Sequence, residues 1–222
     1  MTLCNLQPTI VFHVIQEGVT TVNPTHTQPF RVIGPFSTQS RSGTYRDLAT
    51  WTGISSTSPP CLNMGAGLAN PRWPIYLPSY NSTAQRQLYN LFSSIVTGES
   101  SPFSHSLFMF EGYSMHGVKA VDRASSAYAF RTDDNLLIAP LLQYQPTAAL
   151  NAQADQLGKQ LRQILLDGSV RKELHAYVNY AYGDETPRQW YGHEPWREDR
   201  LRALKQKYDP KGRFSFYGPV AW

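Results

Sequence analysis

The sequence predicts an α+β domain, an antiparallel sheet with helices on one face. Three observations carry this: short β-branched and aromatic runs bounded by turn residues, two long segments with helical apolar spacing, and an order in which strands and helices do not alternate. The composition agrees. Apolar residues make up 41% of 222 and charged residues 16%, enough for a core and unlike a disordered chain, a coiled coil or a collagen repeat.

Thr9 to Gln16 and Gln28 to Gly34 read as strands, joined through the turn-rich Gly18 to Thr27. Thr44 to Trp51 suits a short helix stopped by Gly53, and Ser55 to Pro78 reads as a long irregular loop. Ser82-Thr83-Ala84-Gln85 is a capping-box pattern opening a helix, with Leu88, Leu91, Phe92, Ile95 and Val96 on one face. His105 to Tyr113, Ala127 to Arg131 and Asn135 to Gln145 read as strands. Thr147 to Leu166 is a second amphipathic helix, on the period of Leu150, Ala154, Leu157, Leu161, Ile164 and Leu165, ended by Asp167-Gly168. The last 48 residues differ in character. They hold 11 of the 28 aromatic side chains and form a strand-helix tail, its helix opening at Pro195 and stopping at Asp209-Pro210, with Leu201, Leu204 and Tyr208 as its apolar stripe.

Charge and motifs exclude several function classes. Residues 1–150 carry 8 basic and 7 acidic side chains and residues 151–222 carry 12 and 9, so neither half shows the clustered basic patch of a nucleic-acid binder. The longest apolar run, Leu136 to Leu142, is broken by Pro140 and is far short of the ~20 residues of a membrane-spanning helix. The opening residues, Met1 to Pro8, do not follow the pattern of a secretory signal, and localisation is left unassigned. Cys4 and Cys61 form no disulfide framework, and sequence does not decide whether they pair. The six histidines have no metal-ligand spacing, and phosphate-loop, dinucleotide, metalloprotease and nucleophile-elbow motifs do not occur. No metal site is assigned.

Two features hold chemistry. Phe110-Glu111-Gly112-Tyr113 places one carboxylate in an apolar strand, where burial would raise its pKa for acid–base work; the plainer reading points it to solvent or pairs it with Arg131 or Lys119. Tyr177-Val178-Asn179-Tyr180 holds two phenols. Strand alternation puts Tyr177 and Asn179 on one face and Tyr180 on the other, but a strand that twists or ends here brings both phenols to one site. A neighbouring cation or second phenol would then lower a phenol pKa from about 10 and make a base. The alternative is an aromatic pair packed in a core.

These segments, followed by Trp190-Tyr191-Gly192, Arg200-Leu201, Leu204-Lys205, Lys207 to Pro210 and Phe214, resemble in this order the C-terminal signature of berberine-bridge-enzyme-like FAD-linked oxidoreductases. Upstream, Ile33-Gly34-Pro35, Gly43-Thr44-Tyr45, Tyr80-Asn81, Phe110 to Tyr113 and Ala129-Phe130-Arg131 resemble the fungal members. Each piece is weak alone; the ordered set spans nearly the whole chain.

The resemblance implies a two-domain fold. A substrate domain, a large antiparallel sheet covered by helices, is inserted into an FAD domain built from the N-terminal half and the extreme C-terminus. Residues 1–174 would be a partial substrate domain, and residues 175–222 the segment that packs on the FAD domain. It implies oxidation of an alcohol, sugar or natural product, with hydride passing to flavin while a base takes a proton. By the same resemblance Tyr180 matches the base and Tyr177 its companion. Asn179 and Tyr180 lie at the cofactor, and Gln143 matches a substrate-facing sheet position, unless it is a plain polar sheet residue.

The N-terminal FAD domain, its pyrophosphate loop and its flavin-tethering His and Cys have no match here, and Cys4 and Cys61 lack the family context for that role. The chain is therefore expected to be truncated, with FAD as the family cofactor and most of the FAD site absent. Three readings follow: an FAD-linked oxidoreductase with a small-molecule substrate, completed by a separate flavin-domain chain or by a homo-oligomer; a flavin-free isomerase, lyase or cyclase reusing the pocket; or a non-catalytic partner protein.

Overall fold

The computed structural model describes residues 8–58, 67–98 and 100–220; Cys4 and Cys61 lie outside them. The chain divides into two compact units, Thr9–Gly67 and one built on Leu68–Trp222.

In the first unit, helix α1 (Pro24–Ile33) occupies most of the segment that reads as a second strand. Local signals override the β-branched composition. Asn23 Oδ1 accepts from the Thr25 N–H at 2.9 Å, Pro24 fits the first turn, and Gly34 closes the helix in the left-handed region at φ 79°. Thr9 to Gln16 likewise forms no strand: Ile10 and Val11 stay exposed, and Phe12 packs on Phe30 at 4.1 Å between ring centroids. A strand needs a ladder partner, and β propensity alone supplies none. The short helix of this region is present as a 3₁₀ turn over Tyr45–Asp47 running into α2 (Leu48–Trp51).

The second unit is α+β. Its sheet is small, with three antiparallel strands among the described residues: β1 (Ile75–Leu77), β2 (Leu107–Glu111) and β3 (Leu136–Leu141), in the order β1-β3-β2. The register pairs Ile75 with Ile138, Leu107 with Leu141 and Glu111 with Leu137. Isolated bridges extend it, joining Arg72 to Leu141 and Ala69 to Tyr144. Ala127 to Arg131 joins no ladder, although Ala129 and Phe130 are buried.

Two helices cover one face. Helix α3 (Ser82–Val96) and helix α5 (Ala148–Asp167) pack Leu88, Leu161 and Leu165 onto Trp73, Ile75, Leu77, Ile138 and Leu142. Each of these large side chains contributes about 1.5–3 kcal/mol by leaving water. The cap of α3 is Asn81 rather than Ser82. Its Oδ1 accepts from the Thr83 and Ala84 N–H groups at 3.0 and 3.1 Å, and its Nδ2 donates to the Gly168 carbonyl at the end of α5. Thr147 caps α5, accepting from the Leu150 N–H.

A one-turn helix, α4 (His116–Lys119), follows β2. The tail carries a 3₁₀ turn (Val178–Tyr180), α6 (Pro187–Tyr191) and α7 (Pro195–Tyr208). The expected apolar stripe of α7 is not buried: Leu204 and Tyr208 are exposed. What is buried there is Arg197, whose guanidinium donates to Glu194 and to the carbonyls of Ser126 and Arg123. No helix of the described residues is long and apolar enough to cross a membrane.

Candidate active site

The sheet face opposite the helices carries the chemistry. Side chains alternate along a strand, so Leu137, Ala139, Leu141 and Gln143 share the face away from the Ile138–Leu142 core. Their cross-strand partners put Tyr76, Arg72, Leu107, Met109 and Glu111 on the same face.

The chain returns to this face through Leu174 to Ala176. His175 O accepts from the Tyr76 N–H and the Ala176 N–H donates to Gln189 O, both at 2.8 Å. It then turns at Val178–Tyr180 instead of extending as a strand. Three residues per turn bring positions i and i+3 into line, so Tyr177 and Tyr180 come together rather than apart. Their ring centroids lie 5.2 Å apart, edge to face. The next loop is clamped by Glu185, whose carboxylate accepts from the Tyr182 and Gly183 N–H groups, from Trp190 Nε1 and from Arg162.

Tyr180 donates its hydroxyl proton to Glu111 Oε1 at 2.9 Å, and Tyr113 donates to Oε2 at 3.0 Å. Glu111 therefore neither faces empty solvent nor pairs with Arg131 or Lys119. Arg131 donates to Ser126 Oγ and the Val118 carbonyl, and Lys119 to Asn135 Oδ1. Burial, then the Glu111 charge, pushes the Tyr180 phenol up to about 12, while Arg72, its guanidinium carbon 5.3 Å from the ring centroid, pulls the other way. In this state Tyr180 is a held proton donor, not a phenolate. Tyr177 accepts from Asn179 Nδ2 at 2.7 Å and packs on Tyr76. The Tyr76 phenol is driven far above its ordinary range by burial and by Tyr128.

Of the residues the sequence singled out, Tyr177, Asn179 and Tyr180 share one turn. Gln143 lies on the same sheet face but at its other end: Leu137, not Gln143, stands opposite Glu111, and Gln143 Nε2 donates to Asn70 Oδ1 at 2.7 Å. Six residues of strand separate them, about 20 Å. Sequence reasoning missed Arg72. Its Asn70-Pro71-Arg72-Trp73-Pro74 context reads as loop, and only the bridge to Leu141 places it. Among the described residues no group of three metal-ligating side chains gathers, at His105 and His116 or elsewhere.

Comparison with known proteins places this arrangement. The model of the family described as berberine and berberine like matches residues 176–220, the stretch that holds the tyrosine turn. The FAD-linked oxidoreductase chyH of Penicillium rubens is 51% identical over 215 residues, which is 96% of this chain and 42% of that protein. Residues 176–220 thus carry the berberine and berberine like domain, and nearly the whole chain is similar to an FAD-linked oxidoreductase. The FAD-linked oxidoreductase chry5 of Gibberella zeae is 45% identical over the same share of each chain.

A variant of BBE-like 1 from Physcomitrella patens superposes with a TM-score of 0.64 at 17% identity, over 90% of this chain and 42% of its own. A variant of berberine bridge enzyme gives 0.64 at 12% identity, over 90% and 44%. These two establish the fold alone. The chain spans less than half the length of the curated relatives it matches. FAD is the family's cofactor.

The residues present fit the ring of that cofactor. Asn179 is exposed beside Tyr177 and Tyr180, and with one amide N–H given to Tyr177 its other N–H and its amide oxygen are left to meet a planar heterocycle.

Proposed function

We propose that this chain forms the substrate-side half of an FAD-linked oxidase site acting on an alcohol, sugar or natural product. The observation that carries it is the hydrogen bond from Tyr180 to Glu111, on the turn that also presents Tyr177 and Asn179. Tyr180 and Asn179 would border the flavin ring. Bound FAD supplies the two-electron acceptor for the substrate hydride.

The chain's own residues handle the proton. As a substrate hydroxyl gives up its proton to Tyr180 Oη, the phenol proton passes to Glu111 Oε1. A neutral tyrosine thus serves as a base by relay, without a phenolate, and Glu111 ends protonated. Tyr177 backs the Tyr180 ring and fixes its angle. Residues 1–174 act as the substrate domain and 175–222 as the segment that meets the flavin, with Gln143 lining the far end of the substrate face. The pyrophosphate end of FAD needs a phosphate cradle of backbone N–H groups, the part that a flavin domain supplies.

Titration of the chain with FAD, followed by quenching of flavin fluorescence and by the visible flavin band, tests the reading. Binding that weakens in Asn179→Ala, and flavin reduction by an alcohol that falls at least about 100-fold in Tyr180→Phe, are expected. Flavin reduction unchanged in Tyr180→Phe refutes the proton role. One observation favours a second reading: both members of the Tyr180–Glu111 pair lie on this chain, so acid–base isomerisation or elimination needs no cofactor. Substrate turnover by colourless protein, lost in Glu111→Gln, would select it.

A further inference from the structure

We propose that Arg72 is a carboxylate-binding residue of this site, and that the substrate is an alcohol carrying an anionic carboxylate. The proposal rests on Tyr180 marking the reacting end of the sheet face. Arg72 is held on that face by its bridge to Leu141, between Glu111 at one end and Gln143 at the other and nearer to Gln143. Its guanidinium lies over the Tyr180 ring. A carboxylate paired with it would lie beside the Tyr180 ring.

The state of its hydrogen-bonding groups separates Arg72 from its neighbours. Arg162 is tied to Asp184 and Glu185, Arg171 to Asp134, and Arg197 to Glu194. Arg131 shares a buried Nε but spends its two terminal nitrogens on Ser126 and Val118. Arg72 has no ion pair or side-chain hydrogen bond among the described residues, and its Nε is buried without a partner.

A buried N–H left unmet costs free energy, and a guanidinium fork matches the two oxygens of a carboxylate. The nearest acid on the face is already engaged: each Glu111 oxygen accepts a tyrosine hydroxyl. The partner that completes Arg72 is therefore an anion from outside these elements, arriving where the reacting group would lie. Asn70 and Gln143, bonded to each other further along the same face, offer amide groups to the remainder of such a molecule.

The test is a ligand-observed NMR titration of the 222-residue chain with para-(hydroxymethyl)benzoate and with its methyl ester. The acid is expected to bind about tenfold tighter than the ester, the effect of a charge-assisted pair. Arg72→Gln should abolish that preference by weakening the acid far more than the ester, while Arg72→Lys retains part of it. Circular dichroism checks that the variants fold. Should Arg72→Gln fail to fold, the ¹⁵N shift of the Arg72 Nε–H in the parent, assigned with Arg72→Lys, must move with the acid and not with the ester.

An acid that binds no tighter than the ester, or a preference that survives Arg72→Gln, overturns the proposal. Because binding is read without turnover, the two readings fail separately. Acid preference together with flavin reduction unchanged in Tyr180→Phe leaves Arg72 standing and removes the proton role. Flavin reduction with no acid preference does the reverse.

Discussion

Tyr180 and Glu111, 69 residues apart in sequence, meet hydroxyl to carboxylate at 2.9 Å. The contact joins a 3₁₀ turn of the tail to the last residue of β2, and it adds to burial in raising the phenol's proton affinity. A spectrophotometric titration should therefore show Tyr180 ionising near pH 12 alongside Tyr182, with one of these two ionisations lost in Tyr180→Phe. In Glu111→Gln the same phenol should ionise at lower pH, because the negative charge that opposes phenolate is gone; Arg72→Gln should move it the opposite way. Stability follows by linkage. The folded pKa lies above the ordinary value of 10, so between about pH 10 and 12 the unfolded chain loses this proton first, and the native state weakens as pH rises through that window. An ionisation near pH 10 for Tyr180, or one insensitive to Glu111→Gln, contradicts the account.

Glu185 governs where that turn sits. Its carboxylate is buried and accepts from Arg162, two backbone N–H groups and the Trp190 indole. Glu185→Ala leaves two backbone N–H groups and the Trp190 indole unmet while Asp184 still pairs Arg162, at a cost of about 1–3 kcal/mol in a denaturant melt. Glu185→Gln keeps the shape and part of the bonding and should cost less. Equal melts for the parent and the alanine variant would remove the clamp.

Asn81 makes a smaller and cleaner test. It caps α3 through two backbone N–H groups and ties that helix to the carbonyl of Gly168. Asn81→Ala should lower stability by about 1 kcal/mol, whereas Ser82→Ala, at the position the capping-box pattern favours, should change it far less. The reverse order in thermal melts would reinstate Ser82 as the cap.

That pair shows how far the sequence was legible. Long helices announce themselves by period, and α3, α5 and α7 lie where apolar spacing and proline place them. Strands read only when a partner exists. Leu136–Leu141 has neighbours on both sides and was legible, while Thr9 to Gln16 has equal β propensity and no ladder. The site was half legible. Tyr177, Asn179 and Tyr180 stood out as a cluster, but strand alternation would have split the phenols, and the 3₁₀ turn that joins them is set by the contacts of Ala176 and Glu185. Glu111 and Arg72 reach Tyr180 only through cross-strand register, which no local pattern encodes.

Helix α5 backs the site's sheet. Gly158 lies in the middle of α5, where glycine costs about 1 kcal/mol against alanine, so propensity alone makes Gly158→Ala stabilising. Packing reverses the sign. A Cβ at this position would meet the Trp73 ring at 2.1 Å, far inside contact distance, and Trp73 has no room to yield. It is fully buried and stacked on Tyr182 at 4.6 Å. Overpacking of this kind costs about 1–3 kcal/mol beyond what propensity returns. Trp73 immediately follows Arg72, so a displaced indole shifts the guanidinium on the opposite face. Gly158→Ala should therefore melt earlier than the parent and bind para-(hydroxymethyl)benzoate less tightly, with ester binding less affected. A variant that melts later would show that α5 can move off the sheet, and that glycine is not what sets their distance.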